Sequence, residues 1–221
     1  MSKKVGLLVR MLLIGMFIVP SLVFGQEGKI IKLPKPQMEI GRPLMQVLKD
    51  RKSTREFSSA KLSEQTLSNL LWAADGINRP DGKRTAPSSM DMQETSIYVA
   101  SHDRLYVYDA KENALRLIIK EDIRALTGRQ PFVKEAAINL VYVSDISKMS
   151  KMAEKDIYLN AGADVGFIAQ NVYLYCASEG LATVVRGYFD AATLSKKMNL
   201  KDNQKVILAQ SVGYPKKGSN E

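Results

Sequence analysis

Residues 156–178 carry the longest periodic pattern in the chain. Ile157, Ala161, Val165, Ile168, Ala169, Val172, Tyr173 and Cys176 recur at helical spacing, which predicts one long helix stopped by Gly180. Its apolar positions cover so wide an arc that the helix should be central to the fold or buried in a dimer. Leu67, Leu70, Leu71, Ala73 and Ala74 keep the same period behind Ser63, a fitting N-cap, and stop at Asp75-Gly76. A short amphipathic run over 43–50 predicts another helix, with short ones at 121–127 and 191–198, the last capped by Asp190. Elsewhere the pattern is that of strands. Three are expected at 96–100, 104–108 and 114–119, the last two flanking a hairpin turn at 109–113. The mostly apolar run 137–144 reads as a buried strand, followed by strands at 181–186 and 205–212. This order predicts an α+β fold, a central mixed or antiparallel sheet flanked by helices around a long buried one.

The ends of the chain read differently. Lys3, Lys4 and Arg10 precede an apolar run from 11 to 24, with no acidic residue before Glu27 and small residues, Val23 and Gly25, ahead of Gln26. A charged start, an apolar middle and a small-residue exit describe a secretory signal peptide over 1–25. The expected address is therefore periplasmic or secreted, with no stable membrane insertion after cleavage; the apolar run is short for a bilayer span. Residues 26–42, with Gly28, Pro34, Pro36 and Gly41, read as an extended, weakly structured lead-in to a domain over 43–221.

Charge and rare residues narrow the chemistry. The formal charge of +9 falls to +6 when residues 1–25 leave, since they hold three cations and no acid. The basic residues are scattered and form no nucleic-acid motif, so nucleic acid is not expected as a partner. One histidine, His102, and one cysteine, Cys176, cannot supply the common zinc constellations, and they argue against Ser-His-Asp or Cys-His catalysis. No internal disulfide can form, and Cys176 reads as a small buried hydrophobe. An enzyme of this composition would take its chemistry from an organic cofactor. Trp72, Tyr106, Tyr108, Tyr142, Tyr173 and Tyr175 read as packing residues.

One cluster stands apart. Arg51-Lys52-Ser53-Thr54-Arg55 sets three cations and two hydroxyls at the end of the 43–50 run, a composition suited to a phosphate. A solvated basic turn is the alternative. Three further segments accompany it, besides Leu70-Leu71-Trp72-Ala73-Ala74 followed by Gly76. They are Arg84-Thr85-Ala86-Pro87-Ser88-Ser89 with Gln93, Glu179 to Thr183 leading into Gly187-Tyr188-Phe189-Asp190, and Val212-Gly213-Tyr214-Pro215 with Lys216-Lys217. In this order and at these separations the set resembles the nitroreductase family of flavoproteins, over roughly residues 44–217. Two of its elements look most like the branch related to thiazole/oxazole-forming dehydrogenases.

The resemblance implies a nitroreductase-like homodimer with FMN at the subunit interface. It assigns Arg51, Lys52, Ser53 and Arg55 to the FMN phosphate and ribityl chain, with Lys216 and Lys217 completing the phosphate site. Pro87, Ser88 and Ser89 would line the flavin from the partner subunit, with Asp91 where many relatives carry an Asn. Arg186 and Gly187 fall beside the isoalloxazine ring, where a backbone N–H meets N5 and the Arg186 cation would raise the potential if it reached N1. The function implied is an exported FMN-dependent oxidoreductase passing hydride or electrons to a small acceptor such as a nitroaromatic or quinone, or oxidising a small substrate. No catalytic side chain is required, because the flavin carries the chemistry. The alternative is a non-catalytic or degenerate flavin-binding or interaction protein, which Met90, Asp91, Glu94 and Arg186 keep open as departures from the family pattern.

Overall fold

The computed structural model describes residues 29–218; the signal-peptide reading of 1–25 lies outside them. The strands are β1 (Ile30–Lys32), β2 (Thr95–Ala100), β3 (Leu105–Asp109), β4 (Ala114–Ile119), β5 (Ile138–Asp145), β6 (Ala182–Arg186) and β7 (Gln204–Gly213). They form one sheet in the order β1-β4-β3-β2-β5-β7-β6. Every neighbouring pair is antiparallel, so of the two sheet types expected, the antiparallel one is found. The helices are α1 (Leu44–Asp50), α2 (Glu64–Asp75), α3 (Glu154–Glu179) and α4 (Ala191–Lys197).

α3 is the long helix expected from the pattern, two residues longer at its start and one at its end. Gly180 stops it at φ 69°, the left-handed conformation that glycine adopts without a Cβ penalty. Its buried side packs with Leu70 and Leu71 of α2 and with Leu140 and Tyr142 of β5. The other sheet face carries a second core, in which Val141 and Val143 meet Leu194 and Met198 around α4. Because β5 is covered on both faces, it reads as a continuous apolar run instead of an alternating one. Ser63 caps α2 by accepting from Thr66 N, and Asp190 caps α4 by accepting from Thr193 N.

The lead-in is more ordered than its composition suggests. β1 adds a three-residue edge to β4, too short to leave a period in the sequence. Beyond it, Pro34 O accepts from Ser68 Oγ at 2.5 Å and Asn113 Nδ2 at 2.8 Å. Arg42 Nη2 donates to Ala177 O at 2.6 Å, tying the segment to the end of α3. The helix expected at 121–127 is a single 3-10 turn, Arg124–Thr127.

A polar seam crosses the core under α3. Tyr142 Oη donates to Gln210 Oε1 at 2.6 Å, Gln210 Nε2 donates to Thr183 Oγ1 at 3.0 Å, and Thr183 Oγ1 donates to Ser211 O at 2.8 Å. Tyr142 and Gln210 are fully buried, so removing one partner strands the other without water. We expect Tyr142→Phe to lower stability by about 1–3 kcal/mol, read as an earlier midpoint in urea denaturation with an unchanged slope.

Candidate functional site

The basic cluster sits where α1 ends. Arg51 N closes the helix by donating to Val47 O, after which the backbone extends. Thr54 N then donates to Thr183 O at 2.9 Å, laying the cluster against β6. Phe57 bridges Pro215, Ser58 N donates to Tyr214 O at 2.9 Å, and Lys216 N donates to Glu56 O at 3.3 Å. This short antiparallel zipper lays the segment that leads into Lys216 and Lys217 along Glu56 to Ser58, directly after the basic cluster. Lys52, Ser53, Arg55, Lys216 and Lys217 are exposed, and Arg51 is half-buried.

Tyr173 of α3 ties this loop to the sheet. Its ring lies 5.3 Å from the Arg51 guanidinium carbon, within cation–π range. Its hydroxyl stands 2.8 Å from Ser53 Oγ and accepts from Val185 N at 2.9 Å. The sequence read Tyr173 as packing only, and nothing in its helical position marks it otherwise.

β6 is the edge of the sheet, and an edge strand turns alternate backbone groups outward. Thr183 C=O is taken by Thr54 N–H and Val185 N–H by Tyr173. Gly187, two residues on, is exposed and follows directly after the last residue of β6. A Cβ on Gly187 would meet only Leu208 Cδ2, at 3.6 Å. The packing of the described residues thus gives no reason for glycine there.

Arg186 is turned the other way. It is only 7% exposed and donates to Ser211 Oγ, Thr127 Oγ1 and Asn139 Oδ1, each at 2.9 Å. Its Nε has no partner among the described residues. Burial without a carboxylate pulls the guanidinium down to about 10, so it stays charged at neutral pH. The side chain is held inside the fold beneath Gly128, whose Cβ would meet Arg186 Nε at 2.4 Å. The condition set for this cation, that its side chain reach the ligand, is not met within the chain: the guanidinium is turned into the fold.

Pro87, Ser88, Ser89 and Asp91 lie elsewhere, on a loop held by the first half of α3. Ser89 N and Oγ donate to the Asp164 carboxylate at 2.8 and 3.0 Å. Met90, Asp91 and Gln93 all have positive φ, at 53°, 55° and 45°, each a costly conformation for a residue with a Cβ. Gln93 holds the turn by accepting from Arg84 Nε at 3.1 Å, and its N donates to Ser88 Oγ at 3.0 Å. Asp91 is exposed and accepts from Gln93 Nε2. Asp164 and Tyr173 are nine residues apart, hence about 13.5 Å along the helix and on opposite sides of it. The structure therefore does not bring the Pro-Ser-Ser loop to the basic cluster within one chain. A cleft of about 140 Å³ beside the cluster, lined by Lys52, Thr54, Tyr173 and Thr183, is below the roughly 300–1,000 Å³ of a complete small-molecule pocket.

Behind the Pro-Ser-Ser loop lie three buried carboxyl groups, Asp75, Glu94 and Asp164; the sequence reading named Asp75 only as a helix stop and Glu94 only as a departure from the family pattern, and left Asp164 out. Asp164 could have been noticed as an acid in the apolar stripe of α3. Desolvation raises Asp75 to about 7, Arg84 opposing from 3.5 Å and Glu94 adding to the rise. Glu94 is raised as well, first by burial and then by Asp164, and its Oε2 has no partner among the described residues.

Comparison with known proteins agrees with this geometry. The model of the nitroreductase family matches residues 48–214. A protein of Methanocaldococcus jannaschii described as a nitroreductase is 29% identical over 191 residues, 82% of this chain and 96% of the relative. A crystal structure from Ralstonia eutropha, also described as a nitroreductase, is 41% identical with a TM-score of 0.82, covering 87% of this chain and 92% of that one. The fold extends to the Escherichia coli microcin synthetase complex McbBCD, at 19% identity, a TM-score of 0.65, and 86% and 79% coverage. It is also that of the NADPH:FMN oxidoreductase of Vibrio harveyi, at 21% identity, a TM-score of 0.59, and 79% and 69% coverage.

The carboxyl cluster makes stability depend on pH. Asp75 loses its proton near 3.8 when unfolded and near 7 when folded. Between those values the folded state holds the extra proton, so this contribution is complete below about 4 and is lost as pH rises through about 7. The wild type should lose up to about 1.4 kcal/mol per pH unit across that window. Asp75→Asn should flatten the decline, and melting curves from pH 5 to 8 compare the two; equal slopes would place the proton elsewhere.

Proposed function

The chain belongs to the nitroreductase family of flavin-dependent oxidoreductases, and from that premise we propose that it is an exported FMN enzyme working as a homodimer. The observation that carries the reading is the open edge of β6. One end holds the Arg51–Arg55 loop, and the other runs into the exposed Gly187. Four residue steps run from Thr183 to Gly187, about 13 Å at the rise of a strand, a span suited to a ligand with a phosphate at one end and a ring at the other. The residues fit FMN by their donor chemistry. Arg51, Lys52, Ser53, Arg55 and the two C-terminal lysines supply charge-assisted donors for a phosphate, and Gly187 N–H supplies a neutral donor for the flavin edge. When bound, FMN supplies hydride and electron transfer; the protein holds it, orients it and leaves one face open to a small acceptor, a nitroaromatic or quinone, or to a small oxidisable substrate. Export removes the usual nicotinamide supply, so the donor in this reading is not NAD(P)H.

The second copy follows from the surface of α3. Leu159 is 73% exposed and Phe167 46%, and between them Gly162 and Gly166 face open space. Large apolar groups beside glycines that nothing in the chain crowds suit another helix packed closely on this side. Such a partner would bring its Pro87, Ser88, Ser89 and Asp91 toward the ring and complete the pocket that one chain leaves partial.

Two measurements test the reading. The purified protein should carry flavin absorbance or bind FMN on titration, and Arg51→Ala with Arg55→Ala should weaken that binding about a hundredfold or more. A colourless wild type that ignores FMN would instead favour a non-catalytic role. Phe167→Glu should shift the dimer toward monomer in sedimentation and lower FMN affinity with it; tight FMN binding by a monomer would sink the shared site.

A further inference from the structure

We infer that Tyr173 is a positioning residue that aims the Ser53 hydroxyl at the FMN phosphate, an inference that rests on the flavin reading of the same site. Tyr173 is 7% exposed, and its hydroxyl has one proton and two lone pairs. Val185 N–H occupies a lone pair at 2.9 Å. The proton needs an acceptor, and among the described residues Ser53 Oγ, at 2.8 Å, is the one in place. Tyr173 therefore donates to Ser53. A serine oxygen that accepts from one side turns its own proton elsewhere, here into the exposed ground between Arg51, Lys52 and Arg55.

The chain of donors runs from Val185 N–H through Tyr173 and Ser53 to the ligand, and each bond polarises the next. A phosphate dianion only accepts, so it enforces this direction; the reverse order would leave the Tyr173 proton buried without a partner. The ring of the same residue holds Arg51 by its face. Tyr173 thus sets two groups of the phosphate loop and at the same time fixes Val185, two residues before the Gly187 N–H. One side chain keeps the two ends of the site in register.

The test compares FMN with riboflavin, which lacks the phosphate, using Tyr173→Phe in the full mature chain. Phenylalanine keeps the ring over Arg51 and removes only the hydroxyl. The Kd for FMN should rise about tenfold while that for riboflavin changes less than about threefold, with the melting temperature of the flavin-free protein confirming the fold. Ser53→Ala should show the same selective loss, and the double variant should lose no more than either alone. Equal losses for both ligands would reduce Tyr173 to a structural role, and unchanged FMN binding or additive losses would also overturn the inference. Should Tyr173→Phe not fold, Ser53→Ala decides alone, since a preference for FMN over riboflavin undiminished from the wild type overturns the relay. A wild type that binds neither ligand defeats the flavin reading itself, whereas normal wild-type binding with an indifferent Tyr173→Phe defeats only this inference.

Discussion

An open sheet edge is the constraint on which the arrangement of this molecule turns. Every second backbone group of β6 faces outward, and each must find a partner or water. The chain answers with two different devices. Thr54 N–H covers Thr183 C=O, which docks the basic loop, and the Tyr173 hydroxyl covers Val185 N–H, which docks α3. Gly187 follows, exposed, and among the described residues only its carbonyl has a partner given, Phe189 N–H at 3.2 Å. The same requirement that closes the first part of the edge leaves its end open to something from outside.

Charge is distributed in keeping with that geometry. Arg186 is buried on three neutral acceptors with no carboxylate beside it, a costly way to keep a cation unless its field is used or its fork is needed to hold strands together. The fork joins residues before β5, on β5 and on β7 to the end of β6. It thereby braces the backbone immediately ahead of Gly187. On the other side of the core the reverse excess appears, three carboxyl groups with Arg84 as the near cation. There burial wins over Coulomb attraction, and Asp75 keeps its proton to about 7. One cluster lies under the end of β6 and the other behind the Pro-Ser-Ser loop, so buried polar groups brace both segments.

Much of this was legible in the sequence, and the parts that were not share a cause. The periods of α2 and α3, the caps Ser63 and Asp190, the stop at Gly180 and the hairpin around residues 109–113 are local signals. They survived folding because tertiary contacts agree with them. The basic loop and the C-terminal lysines were legible as composition. β1 was missed because three residues leave no period, and 34–42 was misjudged because it is held by Ser68, Asn113 and Ala177, partners far away in the chain. Tyr173 and Arg186 were misread for one reason. Which side of an element a side chain takes, and what meets it there, depends on packing that periodicity does not encode. An arginine at a strand end looks solvent-facing, yet here it is the tyrosine on the buried helix that reaches the loop.

The separation of the two halves of the site carries one more consequence. Asp164 anchors the Pro-Ser-Ser loop and Tyr173 anchors the basic loop, on opposite sides of α3 and two and a half turns apart. A rigid helix cannot bend one toward the other, and the loop that Asp164 holds spends three positive φ angles on its shape. Such strain persists only where the surroundings over-determine it. Ser88, Ser89, Arg84 and Lys148 all bond across the turn, so its form is set before any ligand arrives. A loop fixed at that cost yet aimed away from its own chain's cluster makes physical sense when a second copy, packed on the exposed face of α3, receives it. The helix that divides the site within one chain is then the element that joins it between two.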